Sequence, residues 1–471
     1  MRNTLLLFAL FFAAGVVAEA HAVVDEPAPG RVVESVRVAA DTTQHYAVYL
    51  PSSYDRARRF PVIYCLDPGA RGLVPVKRFQ EAAEKYGYVV VGSNNSRNGP
   101  GVDVNDVFNK LWDDTHKRFS IDDRRVYVAG FSGGARLALL AGFTLKGSVA
   151  GVISCSGGFP SRERSLPPAT FALFGTAGVA DFNNPEMREL FRALEGSGVP
   201  RRLAFFEGGH EWLPPALALE AVEWLELQAM RSGLKPKDAD FIEGLFRRAT
   251  ASATAAEAAS DLPRAYSDYS QASEDFRGLL DVTQAERAAA RLKAAKEVTR
   301  AAKRERELEE AQQRRGAALS ALCDSLLRPE ERPAAMSELR KAVVELKKAR
   351  ESKESDDSVL AKRLFDVLLV RSFEQGSASL FRKDYAGAAA SFALGAELQP
   401  ENPRVFIQLA RALALGGEKR KALEALRTAA DKGLDDAAAL SASDFDGLRE
   451  DEKFKEVVEA VNRNRASKSA H

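Results

Sequence analysis

The chain has 471 residues, and its 67 Lys plus Arg against 66 Asp plus Glu give a formal net charge of +1. This balance excludes a generic nucleic-acid or polyanion binder, which needs a surplus of basic residues. With 45% hydrophobic and 28% charged residues, the composition is that of a globular protein and not of a disordered one.

The length suggests two or three domains, and the composition changes halfway along the chain. The first 235 residues carry 51 charged side chains and 23 glycines, whereas the remaining 236 carry 82 charged side chains and 10 glycines. A glycine-rich, charge-poor half followed by a glycine-poor, charge-rich half indicates two different architectures.

The first 22 residues have the pattern of an export signal. The positive Arg2 precedes an apolar run of 13 residues from Leu5 to Val17, and small alanines follow at cleavage positions. The alternative is an N-terminal membrane anchor, but the run is shorter than the about 20 residues that a span needs. We therefore expect an exported protein, periplasmic or extracellular, with no membrane span after signal cleavage.

Short apolar runs alternate with amphipathic stretches along residues 32–230. The predicted strands are Tyr46–Leu50, Val62–Leu66, Val89–Val91, Val126–Ala129, Val152–Cys155, Phe171–Phe174 and Leu203–Phe206. The predicted helices among them include Val104–Phe119, Ala135–Phe143 and Glu186–Leu194. This alternation predicts an α/β fold, a mostly parallel sheet with helices on both faces, in which the chemistry lies at the carboxyl ends of the strands.

The loop after the strand Val62–Leu66 reads Asp67-Pro-Gly-Ala-Arg-Gly72. Where such a sheet carries a serine nucleophile, this loop is expected to supply one of the backbone donors to the oxyanion. Proline has no N–H, so Gly69 or Ala70 is the candidate donor. The alternative is an ordinary turn between a strand and a helix.

The run Arg125–Gly130 leads into Gly130-Phe-Ser-Gly-Gly134, and the apolar helical stretch Ala135–Phe143 follows at once. This G-x-S-x-G between a strand and a helix is typical of a nucleophile elbow, a tight turn that needs small residues on both sides of the serine. Ser132 is then the predicted nucleophile, and the N–H of Gly133 faces a developing oxyanion. The alternative is a glycine turn with a solvated serine.

An acid and a base follow Ser132 in the chain. Asp181 is the one aspartate between Ser132 and His210, and it stands in the loop after a predicted strand. His210 and the terminal His471 are the only later histidines. The order Ser, Asp, His at strand ends predicts a triad in which His210 is the general base and Asp181 orients it. Glu207 is the rival orienting acid.

These residues resemble the α/β-hydrolase superfamily over roughly residues 30–230. Within it, the chain is similar to secreted esterases that include polyhydroxybutyrate depolymerases, feruloyl esterases and dienelactone-hydrolase-like proteins. The matching segments are Tyr46-Ala-Val-Tyr-Leu-Pro51, Asp123-Arg-Arg-Val-Tyr-Val-Ala-Gly-Phe-Ser-Gly-Gly134 and Gly208-Gly-His-Glu-Trp212. The resemblance implies hydrolysis of carboxylic esters through an acyl-enzyme, with no metal or cofactor. Many relatives have His-Gly at the oxyanion loop, where this chain has Asp67-Pro68.

The resemblance also implies that the Ser132 strand lies between the strands of Cys65 and Cys155. Two strand spacings, about 9–10 Å, would then separate these cysteines, which is too far for a disulfide. Lids of this superfamily usually grow in the region that here is only Ser156–Thr170. We therefore expect an open site that suits a bulky or polymeric ester.

After residue 236 the pattern is helical almost throughout. Gly376, Tyr385, Ala388, Phe392 and Pro400 match the tetratricopeptide pattern. At a shift of 34 residues, the small residues and the large apolar one recur as Ala410, Ala422 and Leu426, whereas Lys419 and Leu434 stand in place of the tyrosine and the proline. The stretch 288–315 predicts a long exposed helix, either a solvated spacer or a surface for a partner or for self-association. We expect the helical repeats to bind a protein partner.

The sequence thus predicts a signal at 1–22, a hydrolase domain at 23–230, a linker at 231–236 and an α-helical domain at 237–471. The repeats are clearest in 369–436. The predicted function is that of an exported serine hydrolase, a carboxylesterase with an interaction module and no nucleic-acid partner. Two alternatives stay open at this point: a catalytically silent scaffold protein with a hydrolase fold, and a serine peptidase.

Overall fold

The computed structural model of the chain describes residues 26–99, 101–161, 164, 166–352 and 355–469. The predicted export signal lies outside these residues. By their internal contacts, the described residues form two compact units. We call them the sheet unit (26–96 and 105–311) and the helical unit (97–104 and 312–469).

The sheet unit contains an eight-stranded mixed sheet. The strands are β1 (Val32–Val38), β2 (Asp41–Tyr49), β3 (Phe60–Leu66), β4 (Val89–Ser93), β5 (Ile121–Phe131), β6 (Gly151–Cys155), β7 (Ala172–Gly178) and β8 (Arg201–Phe206). Their order is β1-β2-β4-β3-β5-β6-β7-β8. The pairs β1–β2 and β2–β4 are antiparallel, and all other pairs are parallel. This topology confirms the predicted α/β-hydrolase fold.

Helices cover both faces of this sheet: α1 (Leu73–Tyr86), α2 (Val104–Arg118), α3 (Gly133–Thr144), α4 (Asn184–Ala193) and α5 (Pro215–Arg231). Residues of α2, α3 and α4 belong to one apolar cluster, and residues of α1 and α5 belong to the other. Because both faces are covered, β3, β4, β6 and β7 are buried along their whole length, as expected for parallel strands.

The strand order places β5 between the strand of Cys65 and the strand of Cys155, as the resemblance implied. Both thiols are buried and free, as is that of Cys323. β5 also carries the elbow, so the centre of the sheet positions Ser132.

The sheet unit continues past α5 into α6 (Ala239–Ala258), α7 (Leu262–Phe276), α8 (Thr283–Lys293) and the first part of α9 (Lys296–Ser325). Leu227 and Met230 of α5 pack with Ile242, Phe276 and Val282 in one apolar cluster. The unit therefore extends beyond the linker predicted at 231–236. The long helix predicted at 288–315 is divided between α8 and α9.

The helical unit contains α10 (Arg332–Arg350), α11 (Asp356–Phe381), α12 (Tyr385–Leu398), α13 (Pro403–Leu415), α14 (Lys419–Asp431) and α15 (Glu452–Ser469). From α11 to α14, each helix packs on the next. A Cβ on Gly376 would lie 2.7 Å from the Phe392 ring, so only glycine allows this close approach. The helix pairs stand where the repeats were predicted, and the tetratricopeptide assignment stays a prediction. Within the described part of the chain, no helix is both long and apolar enough to cross a membrane.

Candidate active site

The turn between β5 and α3 holds Ser132 in a conformation that few residues adopt. Its φ of +55° and ψ of −118° are strained for a residue with a side chain. The turn is fixed on both sides, because the Ser132 N–H donates to the carbonyl of Cys155 at 2.8 Å and the Ser132 carbonyl accepts from the Ala135 N–H at 3.0 Å. This is the expected geometry of a nucleophile elbow.

The glycines of the motif are required by close backbone contacts. A Cβ on Gly130 would lie 2.1 Å from the carbonyl oxygen of Gly134, and one on Gly134 would lie 2.0 Å from that of Leu66. Behind the serine, a Cβ on Gly157 would lie 2.3 Å from the carbonyl oxygen of Ser132. Any larger residue at these positions would displace the elbow.

The structure brings the three predicted triad residues together. His210 Nε2 lies 2.9 Å from Ser132 Oγ, and His210 Nδ1 lies 3.0 and 3.1 Å from the two carboxylate oxygens of Asp181. The Asn183 N–H donates to Asp181 Oδ1 at 2.7 Å, which fixes the carboxylate. These contacts form a continuous relay from the carboxylate to the hydroxyl, as in a serine-hydrolase triad.

The triad lies in apolar surroundings. The side chains of His210 and Asp181 are 5% and 0% exposed, and Ser132 is 1% exposed. The imidazole lies between two rings, with centroid distances of 4.6 Å to Phe131 and 4.3 Å to Phe182. Exclusion of water strengthens the electrostatic interactions of the relay. The rival acid, Glu207, is exposed, and Asp181 takes the position beside the imidazole.

The two cysteines of the sheet do not compete as nucleophiles. Burial raises the pKa of the Cys155 thiol, and it raises the pKa of Cys65 well above the usual range, with a smaller contribution from the nearby Cys155. Both groups therefore stay protonated at neutral pH, and a protonated thiol is a poor nucleophile.

The predicted first oxyanion donor is well placed. Gly133 is the first residue of α3, directly after Ser132. The first N–H groups of a helix have no partner within the helix, and the helix dipole favours negative charge at this end. Across the described residues, the Gly133 N–H makes no hydrogen bond, so it is free to bind an oxyanion.

The two candidates for the second donor both make hydrogen bonds within the protein in this conformation of the loop. The Gly69 N–H donates to Asp67 Oδ1 at 2.8 Å, and the Ala70 N–H is shared between the carbonyls of Asp67 and Ser96, at 3.2 and 3.1 Å. Both N–H groups are thus occupied inside the protein. The sequence signal for this was Asp67 itself, because an aspartate that starts a turn commonly bonds to the backbone two residues further on.

Two residues that the sequence did not single out connect the loops of the site. The carboxylate of Asp67 is 0% exposed and accepts from both Arg71 and Trp212. Trp212 stands two residues after His210, and its ring centroid lies 5.8 Å from that of Phe131.

Among the residues that the structure describes, no group of three or more His, Cys, Asp or Glu side chains could hold a metal ion.

Comparisons with solved structures find a fluorophosphonate-binding serine hydrolase of Staphylococcus aureus, FphF, with 15% identity over 42% of this chain and 99% of that chain and a TM-score of 0.35. They also find a ferulic acid esterase, with 18% identity over 41% and 97% and a TM-score of 0.36. A Bacillus cereus carboxylesterase has 19% identity over 40% and 96% and a TM-score of 0.33. No curated protein matches.

The family model of the phospholipases and carboxylesterases matches residues 104–173. The matched region contains β5, Ser132 and α3, and it ends before Asp181 and His210. The chain therefore has an α/β-hydrolase fold with a serine-hydrolase arrangement of Ser132, His210 and Asp181, and over residues 104–173 it is similar to the phospholipases and carboxylesterases.

Proposed function

We propose that the protein hydrolyses carboxylic esters through an acyl-enzyme formed on Ser132. The observation that carries this proposal is the relay itself: the hydroxyl is 2.9 Å from an imidazole nitrogen, and the other nitrogen is 3.0 Å from a buried carboxylate. In this arrangement a serine becomes a nucleophile, because a base is within reach of its proton.

In the first half of the reaction, Ser132 Oγ attacks the acyl carbon while its proton passes to His210 Nε2. The carbonyl oxygen becomes an oxyanion that the Gly133 N–H stabilises. His210 then gives the proton to the leaving alcohol as the carbon–oxygen bond breaks, and the acyl group stays on Ser132. Asp181 holds the proton on Nδ1 and stabilises the charged imidazole.

In the second half, a water molecule takes the position of the alcohol. His210 accepts a proton from this water as its oxygen attacks the acyl carbon of the ester on Ser132. Collapse of the second oxyanion releases the carboxylic acid, and the proton returns to Ser132 Oγ. The reaction consumes one water for each ester and needs no other reactant.

The enzyme is proposed to act outside the cytoplasm, with the helical unit as a protein-binding module. The signal-like pattern of residues 1–22 supports export. The successive helix pairs of α11–α14 support the module, because stacked helical repeats commonly bind peptides or proteins. The short stretch Ser156–Thr170 favours a bulky or polymeric ester, since it leaves little chain for a lid.

The test is a panel of p-nitrophenyl acyl esters of increasing acyl length, beside peptide p-nitroanilides of matched size. We expect turnover of esters and little or none of amides, and Ser132→Ala should reduce ester turnover to background. Amide cleavage at comparable kcat/KM would assign the protein to the peptidases. Ester turnover no faster than that of the Ser132→Ala variant would identify a silent hydrolase fold.

A further inference from the structure

We propose that Asp67 is a positioning residue of this site, whose buried carboxylate fixes the loop after β3 and the loop of His210 in one arrangement. The inference rests on the proposed acyl transfer at Ser132. Asp67 touches none of the three triad residues in the contacts of the described chain, and it acts through Trp212.

The carboxylate of Asp67 is fully used. Oδ1 accepts from the Gly69 N–H at 2.8 Å and from Arg71 Nε at 2.9 Å. Oδ2 accepts from Arg71 Nη2 at 2.9 Å and from Trp212 Nε1 at 2.8 Å. A carboxylate at 0% exposure persists only when it is paired and hydrogen-bonded in this way. The paired Arg71 side chain is 31% exposed, so it closes the site of the carboxylate from the solvent side.

The Trp212 contact connects this carboxylate to the catalytic base. The segment 207–214, between β8 and α5, has no regular secondary structure. Backbone bonds such as Ala180 N–H to the Gly208 carbonyl at 2.9 Å hold its first part, and side-chain contacts add to them around His210. One contact is His210 Nδ1 with Asp181, and another is Trp212 Nε1 with Asp67. A shift of Trp212 would move the imidazole, which stands only two residues earlier.

The end of β3, directly before Asp67, also lies against the nucleophile elbow. The Leu66 carbonyl lies so close to Gly134 that a Cβ there would be 2.0 Å away. The Trp212 ring lies beside Phe131, whose own ring is 4.6 Å from the imidazole. The nucleophile turn and the loop of the base therefore both contact the neighbours of Asp67, the first through Leu66 and the second through Trp212.

Asparagine cannot replace Asp67, although it has the same size. An amide offers one acceptor oxygen and one donor nitrogen. In either orientation of the amide, its NH₂ group points at an N–H of Arg71 or of Trp212. The hydrogen bonds to that oxygen position are then lost. A displacement of about 1 Å at a catalytic group can cost about 10²-fold in rate.

A second network in the sheet unit offers a matched control. Asp275 of α7 is also buried, accepts from Trp224 Nε1 at 2.7 Å and from Arg202 Nη1 at 3.1 Å, and therefore has the same chemistry as Asp67. Trp224 stands in the middle of α5, away from the loop of His210. Asp275→Asn should perturb the fold in the same way without moving the base.

The test measures kcat and KM with the best ester of the panel, together with the melting temperature. The variants are Asp67→Asn, Trp212→Phe, their double variant and Asp275→Asn. We expect the two single variants to lower kcat by about 10- to 100-fold with KM within about threefold. The double variant should lose less than the product of the two single losses, because both changes weaken the same hydrogen-bond network. Asp275→Asn should lower the melting temperature and leave kcat within about twofold.

Three results would overturn the inference: unchanged kcat in both single variants, losses that multiply in the double variant, or an equal loss in Asp275→Asn. If Asp67→Asn does not fold, the kcat of Trp212→Phe tests the inference by itself. This variant keeps an aromatic ring and removes only the N–H that donates to Asp67. Labelling of the wild-type protein with a fluorophosphonate separates the two proposals. If the wild-type protein is not labelled, the proposed function is contradicted. If it is labelled but kcat is unchanged in Asp67→Asn and Trp212→Phe, only the role of Asp67 is contradicted.

Discussion

Asp181→Asn should abolish most of the activity by changing the tautomer of His210. In the wild-type structure, Oδ1 accepts from the Asn183 N–H at 2.7 Å, and Oδ1 and Oδ2 lie 3.0 and 3.1 Å from His210 Nδ1. The Asn183 N–H would keep the amide oxygen of the variant on its own side. The amide nitrogen then takes the place of Oδ2 and directs an N–H at Nδ1. This arrangement favours the proton on Nε2, where the imidazole can no longer accept the proton of Ser132.

The size of the effect follows from this loss of the base. In a serine-hydrolase triad, the wrong tautomer costs about 10⁴-fold in kcat, which equals about 5.5 kcal/mol of transition-state stabilisation. The assay is kcat for the best ester, with circular dichroism to show that the fold is kept. Glu207→Gln is the matched control: this exposed residue should leave kcat within about twofold. A folded Asp181→Asn variant within tenfold of wild-type kcat would refute the assignment of the orienting acid.

Three further outcomes are expected. Gly134→Ala should lower the free energy of unfolding by about 1–3 kcal/mol in denaturant titrations and reduce activity, because the new Cβ would lie 2.0 Å from the backbone oxygen of Leu66. Gly244→Ala on α6 is the control. A Cβ there has no atom within 4 Å, so this change should be neutral or stabilising. The buried thiols of β3 and β6 should react with a thiol reagent only after unfolding, and rapid reaction in native protein would contradict their burial. A chain that ends at residue 311 should stay soluble. A chain that ends at residue 235 should aggregate, because this truncation exposes the apolar cluster that Leu227 and Met230 of α5 form with later residues. Equal solubility of the two truncated chains would contradict this packing.

The sheet and the triad could be predicted from the sequence because their signals are local. Each parallel strand is a short apolar run, and Ser132, Asp181 and His210 each follow such a run directly. Few histidines and aspartates compete for these positions, so elimination selected the residues that the structure brings together. The alternation of these runs with helices predicts a parallel sheet covered on both faces, whereas the position of the Ser132 strand between those of Cys65 and Cys155 was implied by the resemblance to the α/β-hydrolases.

The strand, the helix and the side-chain contact that the sequence did not predict depend on contacts between distant parts of the chain or lack a local signal. β1 is a half-buried edge strand with irregular pairing to β2, so it has no continuous apolar run. α1 begins at Leu73, and Gly72 before it provides no side-chain cap, so the helix has no start signal in the sequence. Asp67 and Trp212 are separated by 145 residues, and no local pattern predicts that contact.

The most direct test of the account is the site of labelling by a fluorophosphonate on the full-length protein, mapped by mass spectrometry of the digested chain. The account predicts one adduct per chain on the peptide that contains Ser132, absent in Ser132→Ala and strongly slowed in His210→Ala. An adduct on another residue, or equal labelling of Ser132→Ala, would contradict the claim that Ser132 is the nucleophile.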